Sequence, residues 1–129
     1  MIAGIGIDIV DIARLTPLND NLAKKILKLS EYSALELQKT DIRKIEFFGG
    51  RIAAKEAFVK ALGTGFRDIS FQDIEVLTTE LGAPYIVFHH ELYTNQIIHL
   101  TITHSATTIV AVVIIEKNEE FEHGIRANT

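Results

Sequence analysis

A handful of side chains in this sequence combine reactive chemistry with unusual neighbours. Asp8 follows an alternating run in which Ile5, Ile7 and Ile9 are interleaved with Gly4 and Gly6. If the run is a strand, the carboxylate shares a face with two glycines, which leave room for something bulky beside it. An Asp at a strand end also suits a turn or a helix cap, so the position admits a metal ligand and a capping residue alike. Glu56 and Lys60 form an i,i+4 pair in the favourable order, worth ~0.3–0.5 kcal/mol as surface decoration. Placed at about 100° per residue, they share a stripe with Gly49 and Ala53, bordered by Ile52 and Val59. Phe47, Ala54 and Phe58 fall on the opposite side. A helix apolar on both sides is largely covered, so Glu56 and Lys60 are expected against protein or ligand rather than open water.

Other candidates are weaker. His104-Ser105 follows Leu100-Thr101-Ile102-Thr103, where a histidine also serves as a plain hairpin residue. His89, His90 and His99 lack metal-ligand spacing and read as surface residues. Gly63-Thr64-Gly65 ends a helical pattern; anions prefer helix N-termini, so its plainer role is a C-terminal cap. Zero cysteines exclude disulfides, thiolate nucleophiles and cysteine-ligated zinc.

The elements that must position these groups follow from periodicity. Met1 to Val10 alternates as a strand, and Asp11 to Leu18 begins a helix that Pro17 interrupts. Asp20 to Leu29 is read as a helix with Leu22, Ile26 and Leu29 on one stripe and Lys24, Lys25 and Lys28 mostly opposite. Ser30 is taken as the N-cap of a short helix through Leu37. The longest helical pattern runs from Ile42 to Leu62, stopped by Gly63. Strands are expected at Ser70 to Thr78, Pro84 to Phe88, Ile98 to Thr103 and Thr108 to Ile115, with a turn over Leu81-Gly82-Ala83-Pro84. His89 to Asn95 is assigned a short helix. The aliphatic run Ile109 to Ile115 is expected to be buried on both faces. The result is one α+β domain over residues 1–116, helices early and a mostly antiparallel sheet later, with a loose polar tail over 117–129.

The 129 residues are 47% hydrophobic and 23% charged, with a net charge of −4, which argues against a nucleic-acid binder. That mean hides a split: residues 14–60 carry ten Lys/Arg against six Asp/Glu, while the flanks are acidic. A basic third in an acidic chain points to an anionic partner at one place. No apolar run reaches the ~18 residues of a membrane span and no signal-peptide pattern follows Met1, so no membrane association and a cytoplasmic location are expected.

Taken together, the pieces resemble one family. Gly4-Ile5-Gly6-Ile7-Asp8-Ile9-Val10 resembles the opening motif of the phosphopantetheinyl transferases. Gly50-Arg51-Ile52-Ala53-Ala54-Lys55-Glu56-Ala57-Phe58-Val59-Lys60-Ala61-Leu62-Gly63-Thr64-Gly65 resembles their central motif, in the form typical of the short, trimeric holo-(acyl-carrier-protein) synthases. Ile102-Thr103-His104-Ser105 and the aliphatic run after it resemble the C-terminal motif. Ile52 stands where an aromatic residue is usual, and Thr103 where serine is commoner; neither removes a motif residue.

The resemblance implies an α+β fold with an N-terminal strand and helices, then a mostly antiparallel sheet packed on a long helix. It implies Mg²⁺-dependent transfer of the 4′-phosphopantetheine arm of coenzyme A to a serine of apo acyl carrier protein. The other product is adenosine 3′,5′-bisphosphate, and the reaction serves fatty acid biosynthesis and lipid metabolism. Asp8 and Glu56 map onto the metal ligands, and Lys60 onto the group that contacts the pyrophosphate. The base for the serine is left as Glu56 or a metal-bound water. Arg43, Lys44, Arg51, Lys60, Gly63, His104 and Ser105 are implied for the phosphates of coenzyme A, and Gly82 and Pro84 for its adenine. A homotrimer is implied, with sites shared between neighbouring subunits. Arg14, Leu18, Leu22, Lys24, Lys25 and Lys28 then form a docking strip for the acidic carrier.

Overall fold

The computed structural model describes residues 1–90 and 95–117. Its central element is α3, Asp41–Leu62, a helix whose ends are written in the sequence. The Thr40 hydroxyl accepts from the Arg43 backbone N–H at 3.2 Å, Asp41 sits in the positive first turn, and Gly63 closes the helix with φ 77°. Ala53, Ala54, Ala57, Phe58 and Ala61 face the main core. Phe48 and Ile52 face a second, smaller core.

Around α3 the chain runs β1 (Ile2–Asp11), α1 (Asp20–Ile26), α2 (Leu29–Glu36), then, past α3, β2 (Ile74–Thr78), β3 (Pro84–Phe88), β4 (Gln96–His104) and β5 (Thr108–Lys117). One antiparallel sheet has the order β1-β5-β4; β2 and β3 form a separate antiparallel hairpin. The fold class is α+β, as the periodicity predicts.

β1 is built against the usual rule. Gly6 and Asp8 point inward, while Ile5, Ile7 and Ile9 remain 63%, 58% and 66% exposed. The cause is the approach of α3. A Cβ on Gly4 would lie 1.9 Å from the Ala61 carbonyl oxygen, and one on Gly6 1.9 Å from that of Ala57. The room left by these glycines is therefore filled by helix backbone, not held open for a ligand as their spacing suggested. β5 differs from expectation too: Ile109, Ala111, Val113 and Ile115 are buried, but Val110, Val112 and Ile114 are only half-buried on the outer face.

Local departures cluster before α3. Asp11 to Leu18 yields only a 3-10 turn at Ile12–Leu15. α1 ends at Ile26 because Leu27 turns extended, so the stripe never continues to Leu29. Ala23, Ile26 and Leu27 are buried, whereas Leu22 and Leu29 are exposed. Lys28, not Ser30, caps α2; Glu31 accepts from its N–H at 2.7 Å, and the Ser30 hydroxyl donates to Glu75. The first part of Ser70 to Thr78 is a 3-10 turn at Phe71–Asp73. Residues 91–94 of the expected short helix and 118–129 of the expected tail lie outside the described residues, and Lys117 is the last residue of β5.

Beneath α1 and α2 lies an ion pair whose partners are far apart in sequence. Lys55 and Glu31 are both wholly buried, 2.6 Å apart. The Lys55 ammonium also donates to the carbonyls of Ile26 at 2.8 Å and Phe71 at 3.1 Å. Glu31 also accepts from the backbone N–H of Lys28 and Val76. Burial pulls the Lys55 ammonium below its ordinary range, opposed by Glu31.

Candidate active site

Three of the motif residues meet at the β1 edge of the sheet. The contact of α3 with the glycine face of β1 brings the next inward residue, Asp8, beside the Glu56–Lys60 turn. Asp8 keeps only 10% of its side chain exposed, and Lys60 Nζ donates to its Oδ1 and to the Ile7 carbonyl, both at 3.0 Å. Glu56 is half-buried beside the same carboxylate. Its carboxyl is pushed above the ordinary range, first by burial, then by the charge of Asp8 and a hydrogen bond to it, with Lys60 opposing. One ammonium thus faces two carboxylates that repel each other. A cavity of about 320 Å³ opens there, lined by Ile7, Asp8, Ile9, Lys60 and Val110.

A second set gathers at the β4 edge. Arg43, Glu46, Phe47, Gly50 and Arg51 of α3, Thr78, Gly82 and Pro84 of the β2–β3 hairpin, and Ile102 and His104 of β4 line a groove of about 240 Å³. The Arg51 guanidinium lies 3.8 Å over the Phe47 ring and donates through Nη2 to the Thr78 hydroxyl at 3.0 Å. Its Nε is buried with no partner, a donor left over for a ligand. Burial lowers the Arg51 guanidinium from its ordinary value, opposed by Glu31. His104 Nδ1 lies 3.1 Å from Glu46 Oε2.

The two sets belong to one chain but not to one cavity. Asp8 lies opposite Ala111, and Ala111 opposite Ile102, so two strand spacings, about 10 Å, separate the edges. Arg51 and Glu56 also point about 140° apart around α3. Of the phosphate and adenine candidates, Arg43, Arg51, Gly82, Pro84 and His104 share the groove, and Lys60 stands with the carboxylates. Lys44 lines a different cavity of about 300 Å³ with Thr16, Pro17, Leu18, Asp41 and Ile45. Gly63 is the αL cap of α3, and the Ser105 hydroxyl accepts from the N–H groups of Thr107 and Thr108 in the β4–β5 turn.

Of the docking candidates, Arg14, Leu22, Lys24 and Lys25 are exposed, while Leu18 and Lys28 are half-buried. Arg14 lies 3.8 Å from Asp11; Lys24 lies 3.2 Å from Asp20 and 5.6 Å over the Tyr32 ring. Gln38, Glu46, Phe47 and Thr78 also line the groove and are not among the candidates the sequence offers. The i,i+4 spacing of Phe47 and Arg51 carried a signal for a ring under a guanidinium. Glu46 and Thr78 carried none, because each is partnered from an element distant in sequence, Glu46 by His104 of β4 and Thr78 by Arg51 of α3.

Among the described residues no group of three or more His, Cys, Asp or Glu side chains is placed to hold a metal. Two carboxylates converge instead, which suits a hard cation that takes one or two of them and completes its shell with water and phosphate oxygen. Asp8 and Glu56 fit that donor set, since an added positive charge relieves the repulsion felt by Glu56.

The description that matches residues 4–113 is that of the 4′-phosphopantetheinyl transferase superfamily. A holo-(acyl-carrier-protein) synthase of Streptococcus sanguinis is 45% identical over 123 residues, covering 93% of this chain and 99% of that one. The crystal structure of a holo-(acyl-carrier-protein) synthase from Bacillus anthracis in complex with CoA (3′,5′-ADP) superposes with TM-score 0.82 at 41% identity. It covers 91% of this chain and 98% of that one. The Helicobacter pylori synthase in complex with coenzyme A gives TM-score 0.73 at 31% identity, covering 87% and 99%. The chain belongs to this superfamily of transferases and, within it, to the holo-(acyl-carrier-protein) synthase family.

Proposed function

We propose that this chain transfers the 4′-phosphopantetheine arm of coenzyme A to a serine hydroxyl of apo acyl carrier protein, in the cytoplasm and in support of fatty acid biosynthesis. The observation that carries the reading is the convergence of Asp8, Glu56 and Lys60 at the β1 edge, with Lys60 Nζ 3.0 Å from Asp8. Asp8 and Glu56 would hold Mg²⁺, which when bound supplies positive charge to the pyrophosphate as it cleaves.

The serine oxygen attacks the phosphorus on the pantetheine side of the pyrophosphate, the bridging P–O bond breaks, and adenosine 3′,5′-bisphosphate leaves. The serine gives up its proton as the new bond forms, and Glu56, half-buried beside Asp8, is the base this chain offers. Lys60 is 57% exposed, so its ammonium has room to turn from Asp8 toward the departing phosphate. Arg43, Arg51 and His104 supply cationic or hydrogen-bonding groups for the adenosine phosphates, and Gly82 and Pro84 flank the space for the base.

A homotrimer fits this division of labour. The carboxylates and the groove lie at opposite edges of one sheet, so a ligand spanning both is served by one edge from each of two neighbouring copies. The outer sheet face carries Ile5, Ile7 and Ile9 beside Val110, Val112 and Ile114, an apolar surface suited to burial between copies. Arg14, Leu18, Leu22, Lys24, Lys25 and Lys28 are assigned to docking of the acidic carrier. Among the described residues no helix is long and apolar enough to cross a membrane.

The direct test is the intact mass of apo carrier incubated with the chain, Mg²⁺ and coenzyme A. A gain equal to one phosphopantetheine arm is expected. Coenzyme A cleavage with no gain on the carrier would instead mark a pyrophosphate hydrolase.

A further inference from the structure

α1 spans only seven residues, Asp20–Ile26, too few to hold a helix in water by itself. Its last carbonyls are taken up by side chains from elsewhere in the fold. Lys55 Nζ donates to the Ile26 carbonyl at 2.8 Å. Gln72 Nε2 donates to Leu27 at 2.6 Å and Lys25 at 3.1 Å, with a longer contact of 3.4 Å to Lys24. The Lys55 ammonium is itself fixed by Glu31 of α2 and by the Phe71 carbonyl in the turn that also holds Gln72. A cation and an amide therefore complete the negative end of α1, as a helix C-terminus favours.

This clamp joins two functional regions. α1 presents Lys24 and Lys25 outward on the basic strip, while Lys55 immediately precedes Glu56 on α3. The helix that carries the reacting-site carboxylate thus also grips the end of the helix that carries the strip.

We propose that Lys55 and Gln72 are positioning residues for the acceptor. By clamping the C-terminal carbonyls of α1, they set where a carrier docked on Lys24, Lys25 and Lys28 presents its serine relative to Glu56. The proposal rests on the transfer reaction proposed above. Neither residue touches substrate; both act through the placement of α1. Misplacing reacting groups by about 1 Å costs up to ~10²-fold in rate, so a loosened α1 lowers turnover more than it lowers binding.

The deciding variant is Gln72→Met, which keeps length and volume, removes the amide and leaves the buried ion pair intact. Lys55→Gln, which keeps two donors without the charge, is its companion. Three quantities are read for each: kcat and KM for an apo carrier protein, coenzyme A affinity by calorimetry, and the melting curve. For Gln72→Met a kcat about tenfold lower is expected, with carrier KM and coenzyme A affinity within about twofold of the parent. If Lys55→Gln folds, it shows the same split; if it does not, Gln72→Met decides alone. An unchanged kcat overturns the proposal. So does a loss of kcat matched by an equal loss of coenzyme A affinity, which is general loosening. A parent chain that transfers nothing to any apo carrier, while melting cooperatively, overturns the functional reading and this proposal with it.

Discussion

Two lysine–carboxylate pairs hang from α3, and they are built to opposite ends. Lys55 and Glu31 are both wholly buried; their bonds to each other and to four backbone groups use all three ammonium donors and engage both carboxylate oxygens. Lys60 and Asp8 are unequal, with Lys60 57% exposed and Asp8 10%, and a second carboxylate, Glu56, crowds the same place. The first pair joins α1, α2, α3 and the β2 region and has no capacity for a ligand. The second has surplus negative charge, an exposed cation and an opening to solvent. A saturated network stabilises; an unsaturated one is available for chemistry.

The comparison breaks if the buried pair tolerates loss of one partner. Lys55→Met leaves Glu31 buried and uncompensated, at a cost of about 3–5 kcal/mol, read in denaturant unfolding as a lower midpoint at unchanged slope. Asp8→Ala probes the other pair: transfer to the carrier should fall by about 10²–10³-fold while the melting temperature changes little. Gly6→Ala tests how the site is placed, because its Cβ meets the Ala57 carbonyl oxygen at 1.9 Å. A loss of about 1–3 kcal/mol is expected, with a drop in activity larger than the melting curve explains.

The smallest effect on stability has the most informative sign. Glu56 binds its proton more tightly in the folded chain than in the unfolded one. Its contribution to stability is therefore present at low pH and is lost as pH rises through its folded pKa. Without divalent cation at neutral pH, Glu56→Gln should raise the melting temperature slightly and flatten its dependence on pH above 4.5, while abolishing transfer. A variant less stable than the parent would show that Glu56 is not strained by Asp8.

Much of this was legible from residue order. Gly63 announces the C-terminal end of α3, and the strand β3 falls where the run Pro84 to Phe88 between turn signals places it. The meeting of Asp8 with Glu56 and Lys60 follows the motif spacing that the family resemblance supplied. Two kinds of information were not legible. One is what fills a space: the glycines of β1 signalled close approach, but only the packed chain shows that α3 backbone makes it. The other is partnership at long range. Lys55 falls on the Phe48, Ile52 and Val59 stripe of the wheel, within about 20–60° of each, which marks it as covered. Nothing local names Glu31, or Glu46 beneath His104, because each pairing depends on how separate elements dock.

The inverted faces of β1 have a consequence for how the chain reaches this arrangement. In an ordinary half-buried strand, a slip of one residue is resisted because apolar side chains would be moved into water. Here a slip would drive Ile5 and Ile7 into helix carbonyls that a single methyl group already meets at 1.9 Å. Pairing of β1 with β5 is thus selected by steric exclusion rather than by burial, with two glycines acting as the key that only one alignment admits. The same alignment sets Asp8 opposite Ala111 and beside Glu56, so the fidelity of strand pairing and the integrity of the reacting site are decided in a single event.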